Sequence, residues 1–204
     1  PELIEKTPEG HFEFKVSFLK RSKRFKYFFH MSQDGADAMK YLYNFFSDKN
    51  PKYTNYFKVF SGCSDKNLCN PVILIFDNEL SNKCKPLHSF VSHIELSSSD
   101  KDKLKEDLCI KIIDEGNLFL VTNQLVDGKA ECEIEDLFDD TTRNHVIAGK
   151  TFSSNDKADK EKHYGKEIFA NFIQSNYKSI NFDNFRPMLN NIVKVIAEFA
   201  GTEG

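Results

Sequence analysis

The sequence predicts an α/β fold: a largely parallel sheet flanked by helices, with a helical C-terminal part. Three observations carry this. Val72–Phe76 ("VILIF") is a continuous apolar run, the pattern of a strand buried on both faces of a parallel sheet. Segments with strand patterning interleave with segments of helical period. The last third of the chain carries two long helical periodicities. At 204 residues the chain is long enough for one sizeable domain, or one domain with an appendage. The division expected is an α/β core over 1–140 and a helical extension packed on it over 141–204.

In chain order, "HFEFKVSFL" alternates apolar and polar residues, placing Phe12, Phe14, Val16 and Phe18 on one face of a half-buried strand. "RFKYFFHMS" reads as a second strand, about 25–31. Asp34 caps a helix that places Met39, Leu42, Tyr43 and Phe46 on one side and is stopped by Asn50-Pro51. Residues 50–70 read as a polar connector. Val72–Phe76 is expected as an interior strand with Asp77 and Glu79 at its carboxyl end; a place on a sheet edge would remove the footing of the site. "KPLHSFVSHIEL" is a short helix and "SSSDKDKLKED" a solvated charged stretch. "LCIKII" and "NLFLVTN" are strands joined by a turn at Asp114-Glu115-Gly116. "IEDLF" opens a short helix, and 153–163 is a polar loop. "YGKEIFANFIQS" is a helix with Ile168, Phe169 and Phe172 inward. The last helix, about 182–199, buries Met188, Ile192, Val195, Ile196 and Phe199.

Composition sets limits on function. A net charge of −3 means that any nucleic-acid contact comes from a local patch. Twenty Phe and no Trp read as compositional bias. Cys63, Cys69, Cys84, Cys109 and Cys132 are odd in number and form no CxxC pair, which argues against a zinc site or a disulfide framework and for reduced thiols in the cytoplasm. His88 and His93 are the closest histidines that suggest a pair, and their spacing does not suit zinc. No P-loop, GxGxxG or GxSxG is present, so NTPase, dinucleotide and hydrolase-triad readings have no support. No apolar run approaches the roughly 18 residues of a membrane span. The chain opens at Pro1 without Met, which reads as a cut inside a longer polypeptide.

The chemistry centres on Asp77 and Glu79. In open parallel sheets functional groups collect at the carboxyl ends of strands. Two carboxylates one residue apart repel unless a cation lies between them or one holds a proton. Hard oxygen ligands of this kind suit Mg²⁺ or Mn²⁺. The alternative is a helix-capping Asp beside a solvated Glu.

"NPVILIFDNE", "IEDLF" and "HYGKEIF" stand in this order, with "PEL" at the start, "KYFFHMSQDGADAMKYL" after it and "NFDNF" before the last helix. Their order and spacing resemble the TOPRIM-type extension behind the polymerase of certain retron reverse transcriptases, over nearly the whole chain. The resemblance implies a TOPRIM-like fold and divalent metal bound by Asp77 and Glu79, with Glu in place of the family's second Asp. Similarity to nucleases of the overcoming-lysogenization-defect type implies further acids at Glu133 or Glu135 with Asp136, and a lysine at Lys166. The family's first strand, which ends in a metal-binding Glu, has no counterpart; "TEG" at Thr202–Gly204 lies at the wrong end of the fold. The isolated chain is therefore expected to have little nuclease activity, to leave a sheet position open along Phe12–Phe18 or Val72–Phe76, and to self-associate.

Each remaining candidate has a plain alternative. Glu131, Glu133, Glu135 and Asp136 are further metal or water-positioning acids, or simply acids favoured at a helix start. Lys166, at a helix start where a cation is disfavoured, stabilises a transition state or protonates a leaving oxygen, or is an exposed lysine. Lys15, Lys20, Arg21, Lys23, Arg24 and Lys26 form the dense basic run. Its charges suit phosphates and its aromatics, Phe25, Tyr27 and Phe28, suit stacking on bases, or else the aromatics point inward. Two functions follow. One is a Mg²⁺- or Mn²⁺-dependent nuclease acting in anti-phage defence as the effector end of a retron reverse transcriptase, restrained by the polymerase and its RNA–DNA product. The other is a non-catalytic module that binds nucleic acid or docks on the polymerase.

Overall fold

The computed structural model describes residues 4–6, 8–9, 12–14, 16–32, 35–63, 70–113, 116–126, 128–155 and 157–201. Lys15, the cap at Asp34, Cys69, the Asp114-Glu115 turn residues and "TEG" lie outside the described residues, as does the side-chain burial of Phe12 and Phe14.

The main sheet is built on Leu118–Thr122 (β5), in which every residue is buried. Val72–Phe76 (β3) pairs with it in parallel, from Val72 opposite Leu118 to Phe76 opposite Thr122. Cys109–Lys111 (β4) pairs antiparallel on its other side. The sheet is thus mixed, with order β3-β5-β4, and the interior strand is β5. The expectation that Val72–Phe76 is interior is corrected: among the described residues it is an edge strand, the placement that removes the strand-end footing expected for the site. Its apolar run fits that place because it still packs both ways, Leu74 and Phe76 into one layer and Ile73 into the other, while Ile75 is 38% exposed.

Helices cover both faces. On one side Leu74, Phe76, Leu118 and Leu120 meet Leu42 and Tyr43 of Met39–Asn44 (α2), Leu87, Phe90 and Val91 of Pro86–His93 (α4), and Leu104 of Ser98–Asp107 (α5). Fully burying each such side chain stabilises the fold by about 1.5–3 kcal/mol. On the other side Ile73, Phe119 and Val121 meet Met188 and Val195 of Arg186–Gly201 (α8). The C-terminal part therefore supplies one whole layer of the core. It also holds a small parallel ladder, Thr151–Phe152 (β6) with His163–Tyr164 (β7), whose strands bracket the stretch that reads from sequence as a loop. At the N-terminus Ile4–Lys6 (β1) and Phe12–Phe14 (β2) form an antiparallel pair.

Several elements differ from the sequence reading. The first strand ends at Phe14, and Phe18 beyond it is 79% exposed. "RFKYFFHMS" is not a strand; Lys23–Phe28 (α1) is a helix. Its short aromatic run fits both periods, and the end is decided by Ser22, whose hydroxyl accepts the Phe25 N–H, with Phe25 and Phe29 one turn apart facing the core. The connector contains the helix Tyr56–Cys63 (α3). The charged stretch is helix α5, capped by Ser97 on the Asp100 N–H, with Leu104 its buried residue. The helix after Asp34 ends at Asn44, before Asn50-Pro51 is reached. Asp140–Arg143 (α6) is a single turn capped by Asp139, whose side chain accepts the Thr142 N–H; in Lys166–Asn176 (α7) Phe169 is buried, but Ile168 is 47% exposed. Among the described residues no helix is long and apolar enough to cross a membrane. Cys63, Cys84, Cys109 and Cys132 are free thiols.

Candidate functional site

Beyond β3 the chain does not enter a loose loop. The Asn78 N–H donates to Asn123 Oδ1 (2.7 Å) and to the Cys132 carbonyl (2.9 Å), and the Asn78 side-chain amide donates to the Asn123 carbonyl (2.9 Å). Asn123, 1% exposed, donates in turn to the Cys132 carbonyl (2.9 Å). The Cys132 N–H returns a bond to the Asn78 carbonyl (2.9 Å), making an antiparallel bridge. Two asparagines thus tie the carboxyl ends of both parallel strands to the segment around Cys132. The acids flanking Asn78 (Asp77, Glu79) and those flanking Cys132 (Glu131, Glu133) are thereby held side by side.

A ladder of charges runs through this junction. Glu79, 4% exposed, accepts from Lys85 Nζ (2.6 Å), and Lys85 reaches Glu133 (3.3 Å). Glu133 also pairs with Lys166 (3.1 Å), which pairs with Glu135 (3.1 Å). Asp77 is half-buried beside them and accepts the Ile134 N–H (2.8 Å). Four carboxylates (Asp77, Glu79, Glu133, Glu135) and two lysines (Lys85, Lys166) share one locus, a formal excess of two negative charges.

The Asp77 carboxyl is displaced upward. Burial pushes its pKa up to about 6; the Ile134 N–H and Lys166 pull it down, and Glu135 and Glu79 push it up. For Glu133 burial acts upward as well, but Lys166 and Lys85 outweigh it and hold the carboxyl below its ordinary value. Burial disfavours the Lys166 ammonium, yet Glu135 and Glu133 outweigh that and raise its pKa. The Lys85 pKa is raised chiefly by its bond to Glu79.

Packing fixes the lysines. Lys166 opens α7, whose Phe169 stacks on Phe152 (4.3 Å between centroids) and meets Phe138 edge-on (5.4 Å). Phe138 directly follows the 3-10 turn Ile134–Leu137 that carries Glu135, so the same aromatic cluster seats both partners. Lys85 stands at the N-cap of α4, before Pro86. Its turn is held by Asn82, whose side chain accepts the Cys84 N–H (3.0 Å) and donates to Glu131 (2.9 Å).

Of the residues singled out from the sequence, Asp77, Glu79, Glu133, Glu135 and Lys166 come together. Asp136 does not join them. It closes a capping box with Glu133 and pairs with Lys129 (2.7 Å) and Arg143 (3.5 Å), the alternative structural role for an acid at a helix start. Glu131 is occupied by Asn82. Lys85 and the Asn78–Asn123 tie were missed. A lysine before the proline that opens a helix, six residues past Glu79, was the signal for the first. In the basic run Lys20, Lys23 and Arg24 are exposed, while Arg21 donates to the Gly35 carbonyl (2.7 Å). Tyr27 and Phe28 do not point inward: they are 88% and 51% exposed.

Among the described residues no three metal-ligating side chains converge closely enough to hold an ion. Lys85 and Lys166 stand between the carboxylates instead. The donor set nonetheless suits a hard divalent cation in kind and charge: carboxylate oxygens carrying two uncompensated charges. No family model matches the chain, and no solved structure matches it.

Proposed function

We propose that this chain is a Mg²⁺- or Mn²⁺-dependent phosphodiester-cleaving region of TOPRIM type. The observation that carries the reading is the meeting of Asp77, Glu79, Glu133 and Glu135 with Lys85 and Lys166 at the carboxyl ends of β3 and β5. The order of "NPVILIFDNE", "IEDLF" and "HYGKEIF" supports a place behind a retron-type reverse transcriptase, with that polymerase and its RNA–DNA product as partners in anti-phage defence. The footing is no longer an interior strand; it is the carboxylate–lysine ladder that the Asn78–Cys132 bridge assembles.

Asp77, Glu79 and Glu135, which do not converge on one point in this arrangement, would have to draw together to hold the cation. Bound there, it supplies Lewis-acid polarisation of a phosphoryl oxygen and a more acidic water. Glu133 keeps both ammonium groups in place. Lys166, held beside the acids by Glu133 and Glu135, would offer its ammonium to a non-bridging phosphate oxygen or a proton to the leaving oxygen.

The test is cleavage of labelled single-stranded DNA, duplex DNA and RNA with Mn²⁺ or Mg²⁺, by this chain alone and joined to its polymerase. Little cleavage is expected from this chain alone; in the joined protein Asp77→Asn and Lys166→Met are expected to lower the rate at least about 100-fold, the lower bound for removing a group that acts in the transition state. Cleavage indifferent to both substitutions would refute the assignment. The second reading, binding without cleavage, is favoured by the exposed basic and aromatic helix α1; its signature is metal-independent retention of the same nucleic acids with no product.

A further inference from the structure

Between Glu13 and Asp34 the sequence holds six basic residues and no acidic one, in a chain whose net charge is −3. The centre of this stretch is α1, and its two sides do different things. Phe25 and Phe29 pack against the larger core. Tyr27 is 88% exposed and Phe28 51%, next to Phe18 at 79% and Leu19 at 61%. Scattered exposed rings are ordinary, but several along one short segment mark a contact surface.

The rings are also ordered. Phe28 lies stacked on Tyr56 (5.0 Å, 20° between planes), and Tyr56 on Phe45 (5.2 Å, 15°). Phe45 is 3% exposed. Three nearly parallel rings therefore rise from the core to the surface, where the outermost, half open, ends the column. Lys23 is one helical turn before Tyr27, and Arg24 one turn before Phe28, so each exposed ring shares a face with an exposed cation.

We propose that α1 and its flank form a binding surface for single-stranded nucleic acid, in which Tyr27 and Phe28 take unpaired bases and Lys20, Lys23 and Arg24 take the phosphates between them. Charge complementarity selects a polyanion, and the open end of the ring column selects one with flat faces to add to it. In a duplex those faces are already stacked on one another, so the surface discriminates against it. The inference uses the function proposed above only for the class of ligand. Binding is measured without divalent metal, so failure here and failure of the cleavage chemistry are distinguishable.

The experiment follows fluorescence anisotropy of oligothymidylate and oligouridylate of about 16 nucleotides, and of a duplex of equal length, titrated with the protein in EDTA. The two single strands separate a DNA from an RNA ligand. Tyr27→Ala is expected to weaken single-strand binding about tenfold without altering its salt dependence. Lys23→Gln is expected to lower the salt slope by about 1. The protein has no Trp, so Tyr27→Trp provides one reporter, whose emission is expected to be quenched by the bound strand. Because Tyr27 is almost wholly exposed, none of these changes disturbs the fold, which circular dichroism checks. Equal affinity for duplex and single strand, or an unquenched reporter in a saturated complex, would overturn the proposal. So would a Tyr27-dependent self-association, or binding to anionic phosphatidylserine vesicles, without oligonucleotide binding.

Discussion

Asp77 shows how one residue reports its surroundings. Its carboxyl, ordinarily at 3.8, is pushed to about 6, first by burial and then by Glu135 and Glu79. The sign for stability follows directly. Between the two values the folded chain holds a proton that the unfolded chain has lost, so this group's contribution worsens as pH rises to about 6 and is constant above it. Asp77→Asn keeps an oxygen for the Ile134 N–H and removes the charge. In metal-free buffer it should stabilise the protein above pH 6 by about 1–2 kcal/mol, a figure reduced for solvent screening of a half-open group. The gain should vanish as pH falls below 4, and urea unfolding across this range checks it. A gain that grew with acid would mean that the carboxylate is stabilised in place. The sequence announced Asp77 because an apolar run ended on it. For Lys85 it offered only a lysine before a helix-opening proline; the contact with Glu79 comes from a turn that returns it there.

At the scale of elements the site depends on the Asn78–Cys132 bridge more than on any strand. Asn123 is buried, and its side chain serves donors and acceptors on two other segments. Asn123→Ala leaves the Cys132 carbonyl short of a partner and should cost about 1–3 kcal/mol. It should also loosen the Lys166 pairs, seen as a lowered Lys166 pKa by NMR. Loss of stability with an unchanged Lys166 pKa would mean that the tie supports the fold and not the charge ladder. This arrangement was beyond sequence reading because hydrogen bonds over 45 and 9 residues leave no periodicity. Elements with a clear apolar pattern were legible: α4, β5, and α8 with Met188, Ile192 and Val195 buried. Elements without one were not: α5 runs ten residues with Leu104 its buried residue, and it reads as a solvated stretch. In "RFKYFF" a two-residue and a helical period coincide, and a Ser cap settled the outcome.

At the scale of the molecule, helices cover the sheet on both faces, and among the described residues β3 has a partner on one side. A strand edge with Ile75 exposed beside it invites another chain. Concentration-dependent association is the expected result in analytical ultracentrifugation, and Ile75→Lys should suppress it; association untouched by that change would place the contact elsewhere. The charge ladder is the larger commitment: two lysines pair with three carboxylates, Asp77 stands beside them on the Ile134 N–H, and the four acids still lack two positive charges. The most direct test is calorimetric titration of Mn²⁺ and Mg²⁺ into the protein and into Asp77→Asn, at pH values on both sides of about 6. Saturable binding is expected, strengthening as pH rises through that value and lost in Asp77→Asn. Equal affinity with and without the Asp77 carboxylate would contradict it.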